Sequence, residues 1–135
     1  MSYRSNIRII MGPKAYALLE SNCLKSENLD VKNMVLKPSD IDKECLYYTN
    51  DGEQKEDAVY IEWDDIKWKD TNEDIIAVIS TLNEIDSIVE EDEDKLEEYF
   101  YKFMKIGENN ESIEFTNDYD DEYVEEYYIV CGFSK

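Results

Sequence analysis

Apolar residues recur along this chain with two different periods, and the changes of period mark its elements. Ser5–Met11 alternates, with Ile7 and Ile9 on one face, as a half-buried strand does. Gly12-Pro13 interrupts the pattern, and a proline suits the first position of a helix. Residues 14–23 then carry Ala15, Leu18, Leu19 and Cys23 at helical spacing. Residues 25–38 show no sustained period, so they predict a loop with a short extended piece over 34–36. Ser39 is placed to cap a brief helix over 40–45, because acids in a first turn suit the helix dipole. Residues 46–49 and 58–63 predict strands on either side of Asn50-Asp51-Gly52, a turn signal within a longer loop over 50–57.

Val59, Ile61 and Trp63 share one face of the second of these strands, with Tyr60 and Glu62 opposite. Thr71-x-x-Asp74 resembles a capping box in which Asp replaces the usual Glu or Gln. Behind it Ile75, Val78, Ile79, Leu82 and Ile85 mark the clearest helix in the chain, and that stripe reads as core. Residues 99–106 predict a strand, with a helical alternative over 94–100. A turn at 107–110, a short strand at 112–116 and a closing strand within 123–133 complete the pattern. The order starts with a strand and a helix and ends rich in strands. It predicts an α+β fold: a single small domain over residues 1–135, with a mostly antiparallel sheet of about five strands and two main helices on one face.

Charge changes this picture. Residues 1–49 hold 7 basic and 6 acidic side chains, whereas residues 50–135 hold 7 basic and 28 acidic ones, for a net charge of -20. Residues 90–94 are five consecutive carboxylates, Glu90, Glu91, Asp92, Glu93 and Asp94. Residues 118–126 add six carboxylates in nine positions and no base: Asp118, Asp120, Asp121, Glu122, Glu125 and Glu126, interleaved with Tyr119 and Tyr123. A plain solvated face is the ordinary explanation of such blocks. Tyrosines among the acids, and the apolar run that follows at 127–133, place the second block on a folded surface instead. A field of this sign repels nucleic acid and anionic membranes and steers basic proteins toward itself. There is no apolar run long enough for a signal peptide or a membrane span, which predicts a cytoplasmic protein. Cys23, Cys45 and Cys131 are few, odd in number and widely spaced, so reduced thiols are expected, with Cys131 a small core residue.

The chemistry on offer is narrow. With no histidine, general acid–base work would fall to carboxylates, Lys, Tyr or Cys, and a cysteine nucleophile has no histidine base. Glu62, Asp64, Asp65 and Lys67 contain the Asp-x-Lys element of metal-dependent nucleases, but such a site needs a further carboxylate and a basic surface for its substrate. Asp118, Asp120 and Glu122 alternate as calcium ligands do, without the glycine and closing glutamate of an EF-hand. The sequence therefore predicts no catalytic residue, no metal and no cofactor. It predicts partner contacts at the two acidic blocks. Strand faces repeat about every 6.8 Å and strands lie about 4.8 Å apart, so acid-rich elements approach the charge density of duplex DNA, roughly one per 1.7 Å of axis.

Small size, richness in Lys, Asn, Ile, Asp, Glu and Tyr, and segments such as Tyr-Ile-Glu-Trp-Asp-Asp-Ile-Lys-Trp at 60–68 with Phe-Met-Lys-Ile-Gly-Glu at 103–108 resemble the small acidic accessory proteins of phages and mobile elements, the anti-CRISPR proteins among them. That resemblance implies a non-enzymatic inhibitor of a Cas effector that occupies a basic surface meant for nucleic acid, as a DNA mimic. An immunity protein against a basic toxin nuclease is the alternative, and a carboxylate-metal hydrolase the third reading. Site residues do not carry over from the family; the acidic blocks above come from charge.

Overall fold

The computed structural model describes residues 4–48, 52–106 and 112–116. Its elements run β1 Ser5–Met11, α1 Pro13–Leu24, α2 Leu29–Leu36, β2 Asp40–Tyr48, β3 Gln54–Ile66, α3 Glu73–Glu91, a 3-10 turn Glu93–Lys95, α4 Leu96–Tyr99, β4 Tyr101–Ile106 and β5 Ser112–Thr116. One antiparallel sheet, in the order β2-β3-β1-β4-β5, is packed against helices, so the chain is α+β as its pattern predicts.

β1 is the middle strand, and its alternation places residues on both faces. Ile7, Ile9 and Met11 pair across to Trp63, Ile61 and Val59 of β3 and join Tyr101 and Phe103 of β4 on the helix side. Arg8 and Ile10 point the other way, opposite Glu62 and Tyr60. The helix-side core takes Ala15, Tyr16, Leu19 and Cys23 from α1, Val31, Met34 and Val35 from α2, and Ile75, Val78, Leu82, Ile85 and Val89 from α3. Buried polar groups there are satisfied. The Trp63 Nε1–H donates to the Met34 carbonyl at 2.8 Å, and Asn22 donates to Thr81 Oγ1 at 2.9 Å, tying α1 to α3. A smaller cluster of Ile10, Cys45, Tyr47, Ala58, Tyr60 and Phe100 occupies the second face.

Gly12 joins β1 to α1 where the chain passes against the α4 segment. A Cβ there would lie 2.3 Å from the Glu98 carbonyl oxygen, while the Gly12 N–H donates to the Phe100 carbonyl at 2.8 Å. Only glycine permits that approach of two backbones. Pro13 opens α1 as expected.

Six expectations are corrected. The segment read as a loop contains α2, started by Asn28, whose side-chain oxygen accepts the Asp30 N–H at 2.8 Å. Among the described residues the layer on the sheet therefore has three helices, plus the four-residue α4, and not two main ones. Residues 40–45 are strand, not helix. Ser39 caps nothing: its hydroxyl accepts the Asp64 N–H at 2.8 Å and its own N–H bonds the Glu62 carbonyl, which docks β2 on the long β3. β3 reaches back to Gln54, so the ladder takes the second half of the expected loop, residues 54–57. α3 begins at Asn72 without a side-chain cap, Asp74 bonding only the adjacent Ile75 N–H, so Thr71-x-x-Asp74 is not a capping box. Cys45 is disulfide-bonded, against the expectation of reduced thiols, while Cys23 is a free core thiol that burial pushes up to about 11. Cys131 and the expected strand within 123–133 lie outside the described residues.

Candidate partner-binding surface

The first acidic block spans the end of α3 and the 3-10 turn after it. Five inward positions, Ile75, Val78, Leu82, Ile85 and Val89, seat the helix on the sheet, and this fixes which residues point away. Glu73, Ile76, Ser80, Asn83, Glu84, Ser87 and Glu91 form the outward side, and all are exposed. Glu73, Glu84 and Glu91 are spaced by three turns and by two turns, so they form one line about 27 Å long. No Lys or Arg occurs anywhere in α3.

At its C-terminal end the charge becomes dense. Glu90 and Glu91 are in the last turn, Asp92 ends the helix with its N–H on the Ile88 carbonyl, and Glu93 and Asp94 enter the 3-10 turn. Asp92 also caps that turn, its carboxylate accepting the Asp94 N–H at 3.1 Å. All five are exposed, and none takes part in an ion pair, those between described residues being Arg4–Asp65, Arg8–Glu62 and Lys14–Glu98. Glu73 and Asp74 sit at the favourable end of the helix dipole, but Glu90 and Glu91 sit at the unfavourable end with no basic residue to offset them. Among the described residues they thus form an anionic surface without cationic partners, running from the end of α3 into the turn that follows.

Asp86 is the contrasting acid. It faces the sheet and accepts the Tyr101 hydroxyl, at 3.0 and 3.1 Å from its two oxygens, which joins α3 to β4. Burial first, and this carboxylate second, push the Tyr101 phenol far above its ordinary value of 10.0. Asp74 is raised as well, mainly by burial.

The nuclease-like residues are dispersed. The Glu62 carboxylate is held on the second face by Arg8 and by the Tyr60 hydroxyl, which itself accepts from Arg8 at 3.1 Å. Arg8 Nε is buried without an acceptor among the described residues. Asp64 and Asp65 fall at a register shift between β1 and β3. There Asp65 takes a left-handed backbone (φ 53°), its N–H bonds Asn6 and its carboxylate lies 3.8 Å from Arg4. Lys67 is exposed beyond the strand end. Among the described residues, no three His, Cys, Asp or Glu side chains converge as metal ligands do.

Of the predicted contact residues, Glu90, Glu91, Asp92, Glu93 and Asp94 are therefore together on one surface. Asp118, Tyr119, Asp120, Asp121, Glu122, Tyr123, Glu125 and Glu126 lie outside the described residues. Sequence reading overlooked Glu73 and Glu84, although a 100° helical projection from the apolar stripe places both beside Glu91. It also overlooked two exposed leucines of α2, Leu29 and Leu36, because that helix was not recognised. No helix among the described residues is long and apolar enough to cross a membrane. No protein-family model, no curated protein and no solved structure matches the chain.

Proposed function

We propose that this chain is a non-enzymatic, stoichiometric inhibitor that binds the basic nucleic-acid-binding surface of a bacterial defence nuclease, a Cas effector. The acids stand where nucleic-acid phosphates would otherwise lie. The observation that supports this most is the C-terminal end of α3 and the turn after it, where five exposed carboxylates have no ion-pair partner among the described residues and two oppose the helix dipole. A surface under selection for stability alone gains from a lysine there. A surface that must present negative charge to a cationic groove does not. Residues 118–126 supply a second anionic block by sequence. Electrostatic steering of this kind raises association rates and falls steeply with ionic strength.

The test is an affinity capture from lysate of a CRISPR-bearing bacterium, eluted by a salt gradient and repeated with competing DNA. One basic nucleic-acid enzyme, released by salt and by DNA, is the expected result. A toxin nuclease recovered in its place means an immunity protein. A specific partner indifferent to DNA refutes the mimicry while leaving inhibition.

A further inference from the structure

The described large apolar side chains that remain exposed all lie on helices, and two of them face squarely away from the core. In α2, Val31, Met34 and Val35 point inward, which puts Leu29 and Leu36 on the opposite side, seven residues or about 10 Å apart. They are 66% and 59% exposed. Ile76, on the outward side of α3, is 45% exposed. The N-terminal ends of α2 and α3, which carry Leu29 and Ile76, are joined, because the Asn28 side-chain N–H donates to Glu73 Oε2 at 2.7 Å. Leu29 follows Asn28 directly, and Ile76 is one turn beyond Glu73. Apolar anchors rimmed by charge are the usual anatomy of a protein interface.

Charge indicates what covers them. On α2 the exposed Asp30 is offset by Lys32, so the leucine stripe is nearly neutral. On α3 the line of Glu73, Glu84 and Glu91 has no basic residue. A matching ligand is apolar where it meets α2 and cationic where it meets α3, and an amphipathic helix combines both on one element. A second copy of this chain, with net charge -20, is a poor electrostatic match.

We infer that the outer side of the helix layer is the docking surface for a cationic amphipathic helix of the partner, seated on Leu29, Leu36 and Ile76 with its Lys or Arg residues against Glu73, Glu84 and Glu91. This rests on the reading of a basic protein partner and specifies how that partner is gripped.

Two synthetic probes with the same number of lysines test it at physiological ionic strength: an amphipathic Leu/Lys helix and an oligolysine. Calorimetry compares the native chain with the double variant Leu29→Ser, Leu36→Ser, whose fold is checked by circular dichroism. Both positions are exposed, so the variant is expected to melt as the native chain does. The variant should bind the Leu/Lys helix roughly tenfold more weakly and the oligolysine unchanged. Equal binding of the Leu/Lys helix by both proteins overturns the docking surface and leaves the electrostatic reading standing. A native dimer in sedimentation that the variant dissolves makes a second copy the occupant and overturns the inference. Failure of the native chain to bind either probe removes the basic-partner reading itself.

Discussion

The two sides of α3 follow opposite rules. Inward, Ile75, Val78, Leu82, Ile85 and Val89 are buried against the sheet and against α1 and α2, and each added methyl group contributes stability. Outward, the same helix carries acids without bases, ends them against its own dipole and leaves Ile76 in water. Neither side is disordered or accidental in its pattern, since both repeat with the helical period. The difference separates what the fold requires from what it merely tolerates. The tolerated side is where function is to be sought.

The largest effect that separates the two sides is expected from Ile85→Ala. Ile85 is fully buried in the helix-side core, and truncation there costs about 2–5 kcal/mol through lost burial and a residual cavity. Chemical denaturation measures it. At temperatures where the variant is folded, partner binding should be unchanged. A binding defect in the folded variant would mean that the inner side is not purely structural.

Asp86 with Tyr101 occupies the border between the sides, and its loss should cost less. Tyr101→Phe removes the hydroxyl donor from Asp86 and is expected to destabilise by about 1 kcal/mol at neutral pH. The contribution fades with alkali. Because the folded phenol titrates far above 10.0, the unfolded chain loses that proton first. The neutral phenol's contribution is therefore intact below about pH 10 and declines as pH rises above it. The native chain should lose stability across that range more steeply than Tyr101→Phe, as urea midpoints at pH 9 and above would record. Parallel slopes would mean that Tyr101 is not buried as described.

How much of this was legible in the sequence follows from element length and from partners. β1 and α3 were readable because their periods run over several repeats and their own side chains decide the outcome. α2 was not, because eight residues with Leu29 and Leu36 on the solvent side blur the contrast that defines an amphipathic helix. Residues 40–45 were misread because local preference favoured a helix cap at Ser39, whereas the hydrogen bonds that decide the matter come from Glu62 and Asp64, more than twenty positions away. The acids at 90–94 were legible as a block, but not as a helix end. The alignment of Glu91 with Glu73 and Glu84 becomes visible only once α3 is known to reach Glu91. The second face of the sheet follows the same logic. Arg8, Tyr60 and Glu62 were each readable on that face, and their network depends on a strand register that periodicity does not supply.

The smallest effect on stability carries the sharpest functional contrast. Glu90→Lys and Glu91→Lys place a cation where the last turn of α3 has none, and each also removes a carboxylate from a run of five. The helix dipole then favours the substituted side chain, by about 0.3–1 kcal/mol per site at low ionic strength. Relief of like-charge repulsion acts in the same direction. Both variants should therefore melt slightly higher than the native chain, with the gain shrinking as salt is added. Binding to the basic partner should move the other way, chiefly through slower association. A substitution that stabilises the fold and weakens the complex is what separates a functional anionic surface from a merely soluble one. If both variants gain stability and bind as well as the native chain, the end of α3 is solvated surface and the partner is held elsewhere. If they lose stability, the acids at 90 and 91 serve the fold, and the contrast between the two sides of α3 fails at that point.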